Sequence, residues 1–309
     1  MKTIKNDLNG FTIDKENEDV IYNDVLHEYR TKKDFNKCIS VTTLIHKYVP
    51  PFDEEFWSAY KAIQAIIPEA DFKELKKTLL NYKRFDIKIL SKLKINESDF
   101  NKKREEILAE WKEKNRVACE RGTQIHLVEE HKHYKGETNE IKKIGFIVTF
   151  PVNSSNKIIP GERGIYPELL LSRLSPDGEL LIAGQADLII IDEWDVYVLD
   201  TKTNKSIDLK SYYDPKTKKY STMLYPLNNI QDSNFWHYTM QLSLYAWLIK
   251  KIDPRFNIKK LVLMHHDHDG GYKEYECEYL EKEVERMLVH YKKQLKHEKF
   301  KDSRKSNHS

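Results

Sequence analysis

Gly184-Gln185-Ala186-Asp187-Leu188-Ile189-Ile190-Ile191-Asp192-Glu193-Trp194-Asp195-Val196-Tyr197-Val198-Leu199-Asp200-Thr201-Lys202 is the stretch that decides the fold of this chain. Two runs rich in branched apolar residues, Leu180–Ile191 and Val196–Lys202, flank the turn signal Asp192-Glu193 and read as neighbouring strands. Side chains alternate along a strand, so Asp200 and Lys202 point to one side and Thr201 to the other. The short turn sets Asp187 beside Asp200. Two carboxylates held together in a partly buried place repel each other, and a divalent cation removes the repulsion. Oxygen ligands favour Mg²⁺ or Mn²⁺ over zinc, and the carbonyl of Thr201 is a further candidate donor. The Lys202 ammonium would lie where charge builds on an attacked phosphate. Phosphodiester hydrolysis is the chemistry that suits this set.

The pattern extends outward from there. Ile165–Leu174 reads as a preceding strand, with Pro176-Asp177-Gly178 as the turn after it. Upstream, Asp53 to about Tyr134 is helical in pattern: Phe56, Tyr60 and Ile63, then Leu75, Leu79 and Tyr82, then Ile107, Trp111 and Val117 recur at helical spacing. Ser40 is a candidate N-cap, and Phe11–Tyr29 reads as short strands and turns. The texture changes at about Ile141. Downstream, Ser206–Trp236 reads as a long polar and aromatic loop, and His237–Lys251 as a helix ended by Asp253-Pro254. Ile258–His266 and Tyr272–Tyr279 follow as strands and Glu281–Phe300 as a closing helix. This order predicts an α+β fold with a mixed central sheet flanked by helices and an N-terminal helical elaboration. With only 10 Gly and 10 Pro, the expectation is one domain over 1–309. Within it, 1–52 forms strands and a turn, 53–135 the helical region and 141–300 the catalytic core.

Hydrophobic residues make up 39% and charged residues 33%, the composition of a folded chain with a heavily charged surface. No apolar run reaches a membrane span, and Met1–Asp7 has no apolar core, so neither membrane insertion nor a signal peptide is expected. The cysteines, Cys38, Cys119 and Cys277, are dispersed and form no CxxC pair, which fits a reducing cytoplasm and no cysteine-held metal. Net charge is only +3, yet Lys73–Arg104 carries a local +7, Lys202–Tyr220 +4 and Lys292–Lys305 +5. Such blocks suit a polyanionic partner.

The acidic strands and their surroundings resemble the PD-(D/E)XK nuclease superfamily, and within it the RecB-like and phage-type exonucleases, which include the mitochondrial genome maintenance exonuclease. The likeness rests on five elements in order over about Ser40–Tyr245. They are Ser40-Val41-Thr42-Thr43; Arg121-Gly122-Thr123-Gln124-Ile125-His126; Glu168 followed by Asp187; Asp200-Thr201-Lys202; and Gln241-Leu242-Ser243-Leu244-Tyr245. The resemblance implies a restriction-endonuclease-like core and an Mg²⁺-dependent deoxyribonuclease of phage-type replication or recombination. It implies that Asp187 and Asp200 ligate metal, His126 joins or neighbours them, and Lys202 is the catalytic lysine. Glu168 would orient the attacking water, and Gln241 would support the lysine or contact DNA. No GxxxxGK[ST] loop is present, so no ATP is required. Relatives that hold an iron–sulfur cluster use four cysteines, so none is expected here.

Tyr212, Tyr213, Lys218 and Lys219 interleave aromatic and basic groups in the loop, a pairing suited to DNA with single-stranded ends; Tyr245 is a further candidate contact or a core residue. Three other readings stand beside it. His265-His266-Asp267-His268-Asp269 could serve a transition-metal hydrolase, although adjacent histidines on a strand face opposite ways. The chain could also be an endonuclease of the same fold, or a DNA-binding module without catalysis. Location in the cytoplasm, a host's if phage-encoded, is the expectation.

Overall fold

The computed structural model describes residues 6–8, 11–82, 88–134, 150–153, 157–175 and 180–306. The expected turn at Pro176-Asp177-Gly178 and the change of texture at Ile141 lie outside the described residues. The chain forms two compact units, one of Met1–Pro50 with Gln124–Ser309 and the other of Pro51–Thr123.

The chain opens with a two-stranded ribbon, β1 (Asn6–Leu8) and β2 (Phe11–Ile13), and a three-stranded antiparallel sheet, β3 (Lys15–Glu16), β4 (Val20–Asn23) and β5 (Glu28–Thr31). The short strand β6 (Ile39–Ser40) leads into helix α1 (Val41–His46). Ser40 caps that helix: its side chain accepts from the Thr43 amide, as the sequence predicts.

The second unit is helical. It contains α2 (Glu54–Ile66), α3 (Glu69–Tyr82), α4 (Lys88–Lys92) and the start of α5 (Glu97–Tyr134), whose C-terminal part belongs to the first unit. Asp53 caps α2 through the Phe56 amide at 2.9 Å. Phe56, Tyr60, Ile63, Phe72, Leu79, Leu90 and Phe100 form a core of this unit's own.

The first unit is built on a mixed six-stranded sheet, completed by β7 (Gly164–Leu174), β8 (Leu181–Asp192), β9 (Asp195–Lys202), β12 (Asn257–His266) and β13 (Tyr272–Cys277). Between β9 and β12 come a small hairpin, β10 (Tyr213–Asp214) and β11 (Lys219–Tyr220), and helix α6 (Asn234–Ile252); α7 (Glu281–Ser306) closes the described chain. The hairpin revises the reading of Ser206–Trp236 as pure loop. Strand order is β13-β12-β9-β8-β6, with β7 on β8; β9 and β12 run parallel, while β7–β8 and β8–β9 are antiparallel.

Both faces of the sheet are covered. Val196, Val198, Ile189 and Leu263 join α6 and α7 residues in the largest core, and Leu188, Ile190, Leu199 and Val262 form a smaller one opposite. The sheet is apolar on both faces, which is why its strands read as near-continuous runs of branched apolar residues. Among the described residues no helix is long and apolar enough to cross a membrane.

At one crossing only glycine fits. A Cβ at Gly184 would lie 2.7 Å from Val41 Cγ2 and 3.0 Å from Tyr245 Cε1, so α1 and α6 close on β8 there. Gly184→Ala is expected to destabilise the protein by about 1–3 kcal/mol through overpacking. Thermal denaturation followed by circular dichroism checks this; an unchanged Tm would mean the crossing is loose.

Candidate metal centre

Asp187 sits where β8 changes neighbours. Leu188–Asp192 pair with β9, whereas Ile182 and Ala183 pair with β6. The β8–β9 ladder ends at Leu188 and Leu199, and beyond it the Thr201 amide donates to Asp187 Oδ2 at 2.7 Å. A side-chain oxygen thus satisfies an amide that the parting strands would otherwise leave unpaired.

Across the sheet, Glu168 lies on β7 between the pairs Pro167–Leu188 and Leu169–Ala186. Its φ is +50°, a left-handed conformation unfavourable for a residue with a Cβ. Tyr166 and Leu169 join the same core cluster, as do Ala186 and Ile189. Residues three apart on a regular strand face opposite sides. Both strands therefore slip by one residue at the same level, and the slip frees Glu168 and Asp187 from the apolar alternation.

His126, on the part of α5 belonging to this unit, completes the group. Its Nδ1 lies 3.2 Å from Asp187 Oδ2 and 3.9 Å from Glu168 Oε1. Ligand atoms of His126, Glu168 and Asp187 all fall within 4.8 Å of one another. Gln185 Nε2 donates to Glu168 Oε2, and Lys15 Nζ on β3 donates to the Glu168 carbonyl at 3.4 Å.

Asp200 and Lys202 share a side of β9, as alternation requires, and form an ion pair of 2.5 Å between Nζ and Oδ2. Asp200 is buried, and its Oδ1 accepts from Gln241 Nε2 on α6 at 3.0 Å. Lys202 Nζ lies 4.7 Å from the centre of the Tyr238 ring, a cation–π contact, and the Tyr238 hydroxyl donates to Asn204 Oδ1 at 2.7 Å. Sequence reading assigned no role to Lys15, Gln185, Asn204 or Tyr238. Gln185 and Tyr238 lie within one turn or strand step of assigned residues, which was the available signal; Lys15 had none.

The charges are strongly coupled. Burial, then the charge of Asp187, pushes Asp200 up to about 6 against the pull of Lys202. Burial also raises Glu168, although hydrogen bonding to His126 opposes it. For Asp187, burial acts upward, but the His126 and Lys202 charges and the Thr201 amide outweigh it and hold the carboxyl below its ordinary value. Burial opposes the His126 imidazolium, yet Asp187, Glu168 and Asp200 prevail and lift it to about 10. Burial likewise opposes the Lys202 ammonium, and Asp200 and Asp187 override it.

A pH dependence follows for the metal-free chain. A histidine with a raised folded value contributes stability that is complete below its unfolded value and is lost as pH rises through the folded one. In EDTA, Tm should fall between about pH 7 and 10, and fall less in His126→Asn. Parallel wild-type and variant curves would show that His126 carries no such charge.

Not every expected site residue converges. The contact at Thr201 is made by its amide rather than its carbonyl. Tyr245 is buried and its hydroxyl donates to the Gln185 carbonyl at 2.7 Å, so it packs the core under the site and offers no face to DNA. Tyr212 is 72% exposed, and Tyr213 stands edge-on to Tyr220 at 5.1 Å in the hairpin, whose turn side carries the exposed Lys218 and Lys219.

The histidine run at 265–269 forms no metal cluster among the described residues. His265 Nε2 donates to the Asn204 carbonyl at 2.7 Å and His268 Nε2 to the Thr203 carbonyl at 3.2 Å. Asp267 Oδ1 accepts the Asp269 and Gly271 amides at 2.9 and 2.6 Å. The run is the end of β12 and the turn after it, and it holds the segment after Lys202.

No protein-family model and no curated protein matches this chain. A crystal structure of SSO0001 overlaps 40% of this chain at 22% identity with a TM-score of 0.23. This chain spans 50% of that one, and at such a score the likeness assigns neither fold nor activity.

Proposed function

We propose that this protein is a divalent-metal-dependent deoxyribonuclease with a PD-(D/E)XK core, working as an ATP-independent exonuclease in phage-type DNA replication or recombination. The observation that carries the reading is the convergence of His126, Glu168 and Asp187 within 4.8 Å, the two carboxylates on the same sheet that pairs Lys202 with buried Asp200. The two carboxylates suit a hard divalent ion such as Mg²⁺ or Mn²⁺, and the imidazole favours Mn²⁺ of the two. His126 Nδ1 faces two carboxylates that raise its pKa, the place where an ion of larger charge relieves the same repulsion. Such an ion supplies Lewis-acid polarisation of a phosphoryl oxygen.

The chain's own groups do the rest. Lys202 presents its ammonium to the charge that builds on the attacked phosphate. Asp200 and the Tyr238 ring fix that ammonium, and Gln241 fixes Asp200. Glu168 Oε2 is occupied by Gln185, which leaves Oε1 to face the ion and orient the attacking water. The hairpin supplies exposed Tyr212 and neighbouring lysines for the unpaired end of a DNA strand. Tyr212→Ala is expected to weaken binding of a single-stranded oligonucleotide by about 1–3 kcal/mol, measured in EDTA by fluorescence anisotropy; unchanged affinity moves the strand elsewhere.

Linear and covalently closed circular DNA, single- and double-stranded, incubated with Mg²⁺ or EDTA, tests the activity. Linear molecules should shorten only with Mg²⁺, and circles should survive. Cleavage of circles would make the enzyme an endonuclease. Intact DNA in Mg²⁺ and in Mn²⁺ would remove the nuclease reading.

A further inference from the structure

A groove on the first unit lies between α7 and the loop that carries Tyr225. Its lining includes Tyr225, Lys282, Glu285, Arg286, Val289 and Lys293, together with His290. It encloses about 580 Å³. The charged lining is three cations, Lys282, Arg286 and Lys293, against one carboxylate, Glu285. Positions 282, 286, 289 and 293 recur at four- and three-residue steps, so they form one face of α7. At a rise of about 1.5 Å per residue the cations are spread over roughly 16 Å of helix. That is a track rather than a point site.

The aromatic wall is held in place. Tyr225 is 71% exposed, and its ring stands edge-on to His290 at 5.3 Å and 82°. His290 is fixed in turn by the Tyr48 hydroxyl, 3.1 Å from its Nδ1. Arg286 donates to Asn229 Oδ1 at 2.8 Å and pairs with Glu283 at 2.9 Å, which anchors the loop to α7. An exposed ring held perpendicular to His290 is a prepared stacking platform beside a row of cations. Phosphates complement the row of cations and an unpaired base complements the exposed ring.

We infer that the groove between α7 and the Tyr225 loop binds a single DNA strand, with a base stacked on Tyr225 and phosphates along Lys282 and Lys293. The inference deepens the nuclease reading and rests on it for the identity of the strand. The groove would hold a stretch of substrate outside the metal centre.

Binding of a fluorescein-labelled thymidine 30-mer to the full chain in EDTA tests this whether or not the chain cuts DNA, so failure of the groove and failure of the nuclease reading are separate results. Tyr225→Ala is expected to weaken binding roughly tenfold. The Lys282→Ala/Lys293→Ala double variant should lower the slope of log affinity against log salt by about 1.4, two phosphate contacts at about 0.7 each. Thymidine monophosphate should not compete at comparable concentration. Affinities within twofold of the parent in both variants, with an unchanged salt slope, overturn the inference. Competition by the monophosphate overturns it as well, because the groove would then hold a nucleotide and not a strand.

Discussion

Asp187→Ala is expected to lower DNA cleavage by about 10³-fold or more, because the several kcal/mol of charge stabilisation that a bound ion supplies is lost with the ion. Three contacts meet at this carboxylate: His126 Nδ1 at 3.2 Å, the Thr201 amide at 2.7 Å, and the convergence with Glu168. The fold should survive. Losing the acceptor for the Thr201 amide costs about 1–3 kcal/mol, and removing one of several crowded carboxylates offsets part of that. Release of acid-soluble nucleotide, measured beside a thermal melt, separates the two effects. Cleavage within tenfold of the parent would move the metal site away from Asp187.

Lys202→Met is expected to abolish cleavage to a similar degree, about 10²–10³-fold, but for a different reason and with a different signature. Its ammonium is the partner of a carboxylate that is 1% exposed. Breaking a buried pair from one side costs about 3–5 kcal/mol because the remaining charge is uncompensated. Asp200, already raised to about 6, would rise further and take up a proton. The second change Asp200→Asn should then return much of the stability and none of the cleavage. Calorimetric titration should find Mn²⁺ affinity unchanged or higher in Lys202→Met, since a cation near the site is gone. A double variant that recovers cleavage would reduce Lys202 to a counter-ion for Asp200.

The sheet was legible because its strands are long and regular in composition. Val196–Lys202 was expected and Asp195–Lys202 is found; Ile258–His266 was expected and Asn257–His266 is found. Alternation alone placed Asp200 and Lys202 together. The same rule failed where the structure breaks it. A strand of constant period puts no special meaning on Glu168 or Asp187, and only the paired slip in β7 and β8 turns both carboxylates toward His126.

Other features left a weaker trace or none. The strands of the Tyr213–Tyr220 hairpin are two residues each, too short for a periodicity to show. The role of Tyr245 was ambiguous, since a tyrosine on an apolar helix stripe has the same spacing whether it packs or binds. Asp200 was read as a metal ligand, and the structure shows both of its oxygens engaged by Lys202 and Gln241. Lys15 reaches Glu168 across 153 residues of sequence, a contact that no local pattern records.

Crystals of the protein soaked in Mn²⁺, with the anomalous signal of manganese recorded, test the central claim most directly. The account predicts a peak among His126, Glu168 and Asp187 at about 2.0–2.3 Å from their ligand atoms, lost in Asp187→Ala. A peak at the 265–269 turn with none at His126, Glu168 and Asp187, or no bound manganese at a concentration that supports cleavage, would contradict it.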